Sequence, residues 1–281
     1  MPEDVNGLRP RLMSIAYRML GSVADAEDAV QDAFVRLQSA GGVSSPEGFL
    51  VRTTTRLCID RLRERKRREY IGPWIPAPVE TRGPADDPAL AESLTRAFLL
   101  LLERLSASER AAFLLRTVFD YEYAEIAEVV GKSEAAVRQL VSRARQRLGS
   151  DAGRRPAARP ERADGLAERF LAACRSGDVK AVEAMLAEDV ESHSDGGGKV
   201  TAARVVIRGR ERVARFLTGI FRKRRLQHAT PAYVNGEPGL AFHADGRLVS
   251  VLSLRVEDDV KGIYITVNPD KLARWPSAEV E

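Results

Sequence analysis

Arg138, Gln139, Ser142 and Arg143 recur at intervals that place them on one side of a helix over residues 134–148. That combination suits a DNA major groove, because arginine bridges O6 and N7 of guanine and glutamine pairs with adenine. Gln146 extends the same outward face, while Arg145 and Arg147 are better placed for phosphates. Behind them Val137, Leu140, Val141, Ala144 and Leu148 form an apolar stripe that would seat the helix. Residues 119–148 read FDYEYAEIAEVVGKSEAAVRQLVSRARQRL: an apolar-patterned helix, a glycine-containing turn and a second helix with a basic outer side. This is a helix-turn-helix signature. A solvated helical hairpin gives the same pattern, so the surrounding elements must discriminate.

Other charged sets are equally local. Asp25, Glu27, Asp28, Gln31 and Asp32 line one side of a second helical pattern. Acids in a first turn favour the positive end of the helix dipole, but this cluster continues beyond the turns that capping needs. Arg61, Arg63, Arg65, Lys66, Arg67 and Arg68 form a dense basic run, and Arg208, Arg210, Arg212 and Arg215 form another before Arg222–Arg225. Such clusters attract polyanions or acidic protein faces, or are simply solvated helix surface. His193 and Asp195 lie beside three glycines and are the candidates for a base and an acid. The glycines more simply indicate a tight loop that another segment approaches closely. His228 and His243 fall on strand patterns and read as structural. No metal-ligand spacing and no phosphate-binding glycine loop occurs, so no cofactor and no metal is expected.

The elements that must hold these groups follow from periodicity. The chain has 281 residues, 44% hydrophobic and 30% charged, with a net charge of +4, enough for two or three domains. Leu12, Ile15, Ala16, Met19 and Leu20 make one helical stripe, broken at Gly21-Ser22, and Ala26, Ala29, Val30, Ala33, Phe34 and Leu37 make the next. A Gly/Ser loop over 39–45 ends at Ser45, an N-cap with Pro46 at the first helical position. A long helix through Phe49, Leu50, Leu57 and Leu62 runs into the basic stretch. Prolines and glycines over 71–87 rule out regular structure and mark a linker, yet Trp74 within it implies docking. Helices resume at Pro88 with Leu94, Phe98, Leu101, Leu102 and Leu105 inward, and Ser106 with Glu109 has capping-box spacing. A second linker spans 150–163. Helices over 164–176 and 178–187, a strand at Arg204–Ile207 and a helix at Arg210–Phe221 follow. Pro231–Asn235, Leu240–Ala244, Leu248–Val256 and Val260–Val267 read as an antiparallel meander, so the last segment is α+β. Cys58 and Cys174 are far apart and exclude a disulfide framework, which suits a reducing cytoplasm. With no apolar leader or long apolar run, the chain is expected to be neither secreted nor membrane-bound.

Taken together, LRPRLMSIAYRMLGSVADAEDAVQDAFVRL (8–37), FLVRTTTRLCIDRLRERKRR (49–68) and the helix-turn-helix resemble an extracytoplasmic-function (ECF) sigma factor. The resemblance implies a multidomain chain: sigma region 2 over 1–70, the linker 71–87, region 4 over 88–149, the linker 150–163 and a C-terminal domain over 164–281. It implies that Asp25, Asp28, Gln31, Asp32, Arg36 and Leu37 dock on the β′ clamp helices of core RNA polymerase, with the β flap as a second contact. It places Ser44, Ser45, Arg52, Arg56, Arg63 and the run to Arg68 at a melted −10 element, where the small-residue loop can receive a flipped base. Arg138, Gln139, Ser142, Arg143 and Arg145 would read a −35 element in promoter DNA.

Residues 164–275 resemble the SnoaL-like branch of the NTF2-like cone fold, an extension that marks the SigJ-type group of ECF factors. Three motifs carry this placement: Asp195-Gly196-Gly197-Gly198-Lys199, Asn268-Pro269-Asp270-Lys271-Leu272, and Trp74-Ile75-Pro76-Ala77-Pro78 in the linker. The group's linker motif usually reads WLPEP, so Ile75 and Ala77 depart from it. By resemblance the extension packs on both helical domains and regulates them in cis, with no separate anti-sigma factor, and its pocket could sense an unidentified small molecule. SnoaL-type proteins include cyclases and isomerases. An enzyme built on His193 and Asp195 with an accessory DNA-binding region is therefore the alternative, and a simple repressor is a third reading.

Overall fold

The computed structural model describes residues 5–65, 70–81, 94–149, 160–224 and 228–275. The chain divides into two compact units, one of residues 1–69 with 98–154 and one of residues 70–97 with 155–281. Lys66, Arg67 and Arg68, the linker residues 82–87, the expected helix start at Pro88 and most of the second linker, 150–159, lie outside the described residues.

The first unit is helical. Helices α1 (Arg9–Leu20), α2 (Val23–Ser39) and α3 (Pro46–Arg65) precede α4 (Arg96–Leu102), whose first two residues belong to the second unit, and then α5 (Ala107–Thr117), α6 (Tyr123–Val130) and α7 (Glu134–Leu148). Local chemistry sets the boundaries. Gly21 ends α1 in the left-handed region (φ 63°), its N–H donating to Tyr17 O, and Ser22 caps α2 by accepting from Asp25 N. The Ser45 hydroxyl accepts from Gly48 N at 3.2 Å and so starts α3. Ser106 and Glu109 form a reciprocal capping box on α5. Gly131 (φ 68°) makes the turn between α6 and α7, and Ser133 caps α7. Leu12, Ile15, Met19, Ala26, Ala29, Val30, Leu50 and Cys58 fill the core beneath α1–α3. One expectation shifts at α4. Leu99 is buried where Leu101 was expected, because Glu103, Arg104 and Leu105 close tight i−3 bonds that rewind the helix end.

The second unit holds a seven-stranded sheet in the order β1-β4-β5-β6-β7-β2-β3. Its strands are β1 (Glu80–Thr81), β2 (Leu186–Asp195), β3 (Ile207–Arg208), β4 (His228–Val234), β5 (Glu237–Ala244), β6 (Arg247–Val256) and β7 (Val260–Thr266). Helices α8 (Pro160–Ser176), α9 (Val179–Met185), α10 (Arg210–Arg224) and α11 (Pro269–Leu272) complete it. Asn235-Gly236 and Asp245-Gly246, all at positive φ, make the two-residue turns of the β4–β5–β6 meander. β7 then runs parallel to β2. Phe170, Cys174, Val182, Val213 and Leu217 pack on Leu240, Phe242, Leu252, Leu254 and Ile263 from one sheet face.

Three corrections concern this unit. The expected helix 178–187 stops at Met185, and the next ten residues form β2. The expected strand Arg204–Ile207 reduces to Ile207–Arg208. The linker also contains regular structure: Glu80 and Thr81 pair antiparallel with Val234 and Tyr233. Asn235 fixes that register, its N–H donating to Val79 O (2.8 Å) and its side-chain oxygen accepting from Val79 N (3.1 Å).

Candidate nucleic-acid interface and linker cluster

On α7 the structure places Arg138, Gln139, Ser142, Arg143 and Arg145 on the solvent side, with Val137, Leu140, Val141, Ala144 and Leu148 buried. Three arginines are already oriented. Arg138 stacks over the Tyr123 ring at 4.1 Å and pairs with Glu134 at 3.3 Å. Glu109, 3% exposed, pairs with Arg147 at 2.6 Å and reaches Arg143 at 3.8 Å while accepting from Ser106 N at 2.9 Å. Burial alone would raise the Glu109 pKa, but the Ser106 groups and the two guanidiniums outweigh it and hold the carboxyl below its ordinary value. One carboxylate thus caps α5 and steadies the basic side of α7.

The loop and α3 are less uniform. Ser44 and Ser45 are exposed, and the Ser45 hydroxyl serves as the cap. Arg52 lies over the Phe49 ring at 5.9 Å, and Arg63 pairs with Asp60 at 3.2 Å on the surface. Arg56 is differently engaged: its Nε donates to Val129 O at 3.0 Å and its Nη2 to Glu128 O at 2.9 Å, the last carbonyls of α6. A cavity of about 580 Å³ opens beside it, lined by Ser44, Phe49 and Arg52 on one side and Phe119, Tyr121 and Glu125 on the other. On α2, Asp25, Asp28, Gln31, Asp32 and Arg36 are all exposed. Arg61 donates to the Asp25 carbonyl and pairs with Asp32 at 3.1 Å, so part of the acidic face is held from within.

The three motifs of the second unit meet at one point. Asp195 is 1% exposed, and its carboxylate accepts from Tyr70 OH (2.6 Å), Gly197 N (2.9 Å), Ile75 N (3.1 Å) and Lys271 Nζ (2.6 Å). Lys271 also donates to Ile75 O and lies 4.4 Å from the Trp74 ring centroid. Asn268 caps α11 through Asp270 N and donates to Tyr70 OH at 3.1 Å, and Lys199 pairs with Asp270 at 2.7 Å. Pro76 is buried within the docked linker, and Pro269 opens α11. The glycines are required by close approach. A Cβ on Gly196 would lie 2.1 Å from Val200 O, one on Gly197 2.2 Å from Asn268 Nδ2, and one on Gly198 2.9 Å from Ile71 Cδ1. Ala77, where the group motif has glutamate, is 3% exposed, so this chain puts a small apolar residue in a closed site.

His193 shares the sheet face with Asp195 but not its partners. Its Nε2 meets Glu191 at 3.1 Å, Glu191 pairs with Arg208 at 2.7 Å, and burial lowers the His193 pKa despite that carboxylate. His243 pairs with His228 across β4 and β5. Sequence reasoning missed Tyr70 and the buried residues Arg96 and Glu237, and it read Glu109 only as a helix cap and Arg61 only as part of a basic run. Arg96 is 0% exposed and donates to Tyr264 O at 3.0 Å, inside a pattern that reads as helix start. Among the described residues no group of three or more His, Cys, Asp or Glu is placed to hold a metal ion, and no helix is long and apolar enough to cross a membrane.

Residues 5–68 match the family model for sigma-70 region 2, residues 95–148 that for sigma-70 region 4, and residues 167–258 that for a SnoaL-like domain. The chain is 34% identical to the ECF RNA polymerase sigma factor SigJ of Mycobacterium tuberculosis over 98% of its own length and 94% of that protein's. It is 31% identical to the probable ECF sigma factor SigI of the same organism, over 94% and 92%. The crystal structure of M. tuberculosis SigJ superposes with a TM-score of 0.77, covering 98% of this chain and 100% of that one.

Proposed function

The chain belongs to the ECF family of RNA polymerase sigma factors, and from that premise we propose how its residues divide the work. The family binds core RNA polymerase and promoter DNA, and this chain is a transcription factor of that kind. The exposed face of α7 reads the −35 element, Arg138 and Gln139 contacting base edges and Arg145 phosphates. The loop before α3, with Ser44, Ser45, Arg52, Arg56 and Arg63, takes the −10 strand. The acidic face of α2, from Asp25 to Arg36, docks on the β′ clamp helices, and region 4 meets the β flap. In this reading region 2 spans 1–70 and region 4 spans 88–149, joined by the linker 71–87, and the linker 150–163 leads to the domain 164–281. The protein works in the cytoplasm, where its polymerase is.

The SnoaL-like domain acts as a regulatory part and not as a catalyst, in place of a separate anti-sigma factor. The observation that supports this is the saturation of Asp195: its carboxylate oxygens accept four hydrogen bonds from the linker, the glycine loop and α11, so it is engaged as a structural hub. Tyr70, Trp74, Asp195, Gly196–Lys199 and Asn268–Lys271 then tie the interdomain linker to the regulatory domain. Run-off transcription with reconstituted core enzyme tests the reading. Arg138→Ala is expected to lower initiation at a −35-dependent promoter by roughly 5- to 150-fold, the worth of one bidentate base contact. An equal loss at a promoter with a scrambled −35 element would sink the assignment.

A further inference from the structure

Of the basic runs in the sequence, the one over 199–225 has no part in the promoter contacts assigned above. Ten of these 27 residues are Lys or Arg and one, Glu211, is acidic, whereas the rest of residues 164–281 holds eight basic residues and 16 acidic ones. The SnoaL-like domain is therefore close to neutral as a whole and strongly positive along one segment. A field divided in this way selects partners by sign.

The fold gathers that charge on one side of α10. Val213, Ala214, Leu217 and Phe221 turn inward to the core, and the Thr218 hydroxyl donates to Ala214 O at 2.9 Å. Glu211, Arg212, Arg215 and Arg222 are left exposed. Helical spacing keeps these four on one side, and Arg212 to Arg222 spans about 15 Å at about 1.5 Å per residue. Arg204 and Arg208, just before the helix, are exposed as well. Arg215 pairs with Glu211 at 2.6 Å and Arg208 with Glu191 at 2.7 Å, both at the surface, where such pairs are weak. Among the described residues no ion pair engages Arg204, Arg212 or Arg222, whereas surface arginines such as Arg11, Arg63 and Arg116 each hold a carboxylate.

The chemistry of this side distinguishes two kinds of acidic partner. The core of a protein interface is poor in charge and anchored by aromatic or large apolar side chains. No large apolar side chain of α10 is exposed, and Phe216 and Ile220 pack against the core of their own domain. Eight of the ten basic residues are Arg, whose planar fork matches the oxygens of a phosphate. Duplex DNA carries one backbone charge per about 1.7 Å of axis, so about 15 Å of helix faces about nine of them. Residues 149–159, between α7 and α8, reach at most about 40 Å even when fully extended. A duplex held by α7 is thus at high effective concentration for the domain that follows.

We propose that the Arg212–Arg215–Arg222 side of α10 is a further DNA contact, which grips backbone phosphates of the duplex next to the −35 element without reading bases. The identity of the polyanion rests on the promoter-binding role given to α7. The contact itself does not depend on which bases α7 reads.

The full chain bound to core enzyme tests it, by fluorescence anisotropy on a labelled promoter duplex between about 50 and 200 mM salt. Replacing three residues together, Arg212→Ala, Arg215→Ala and Arg222→Ala, is expected to flatten the plot of log K against log salt by about 2.7, because each phosphate contact contributes about 0.9. The same flattening is expected on a promoter with a scrambled −35 element. On a duplex cut back to the upstream edge of that element, wild type and variant should converge. Arg212→Lys, Arg215→Lys and Arg222→Lys together keep the charges and should keep the slope. An unchanged slope in the alanine variant, or a slope lost in the lysine variant too, overturns the proposal. So does a difference that persists on the cut duplex. An alanine variant that loses affinity for core enzyme with its DNA slope intact also overturns it, and marks this side as a face for an acidic protein surface. A flattened slope alongside an inert Arg138→Ala upholds the α10 contact and sinks only the base-reading role of α7.

Discussion

Lys271 and Asp195 lie 2.6 Å apart with side-chain exposures of 10% and 0%, so neither partner can recover water if the other is removed. Lys271→Met would strand a buried carboxylate, and the expected cost is roughly 3–5 kcal/mol. Calorimetry should show the unfolding temperature of the second unit falling by about 10 °C. Glu237 makes a different statement. It is 7% exposed, and burial pushes its pKa up to about 7, against the lowering effects of Arg96 and Arg255. Folding therefore binds a proton that the unfolded chain releases near pH 4.5. The stability from this group is fully present below that pH and is lost as pH rises through about 7. Urea titrations between pH 5 and pH 8 should show that decline, and Glu237→Gln should flatten it. Neither effect is visible in the sequence, since nothing in the spacing of Arg96 and Glu237 marks them as neighbours.

Among the elements, those legible in advance are the ones whose boundaries are written in short-range chemistry. Ser22, Ser45, Ser106 and Ser133 accept from backbone N–H groups of the first turns they precede, and Gly21 and Gly131 end theirs in the left-handed region. β2 was hidden because its sequence, LAEDVESHSD, is largely polar; it is a strand because β7 pairs it at Leu186 and, past an irregularity, from Glu191 to Asp195. β1 was hidden by the prolines around it and exists because Asn235 anchors Val79 beside β4. The DGGGK loop tests this level. Gly197 has φ 59°, and an added Cβ would displace the Asn268 cap of α11. Gly197→Ala should release the linker, read as a red shift of Trp74 emission in a Trp275→Phe background. Unchanged emission would show that the loop accommodates the methyl group without moving α11.

At the level of the whole molecule, the acidic face of α2 is the surface expected to meet core polymerase. Asp28 is exposed on it, and Arg61 engages Asp25 and Asp32 beside it. Asp28→Arg should weaken core binding about tenfold or more at low salt and less at high salt, measured by fluorescence anisotropy. A salt-independent loss would point to misfolding instead. The sequence by itself determined the family, the helix-turn-helix, the exposed side of α7 and the three motifs of the second unit, because each depends on side chains within a turn or two of one another, or on motif order along the chain. Tertiary structure alone decided that Asp195 gathers residues some 125 positions away, that Glu103 bridges Arg65 to Arg110, and that Arg56 caps α6. Those pairings are set by how helix ends and a sheet face come to lie together, which periodicity along one element does not encode. The basic and glycine-rich motifs are therefore parts of interfaces within each unit as well as candidate contacts to DNA.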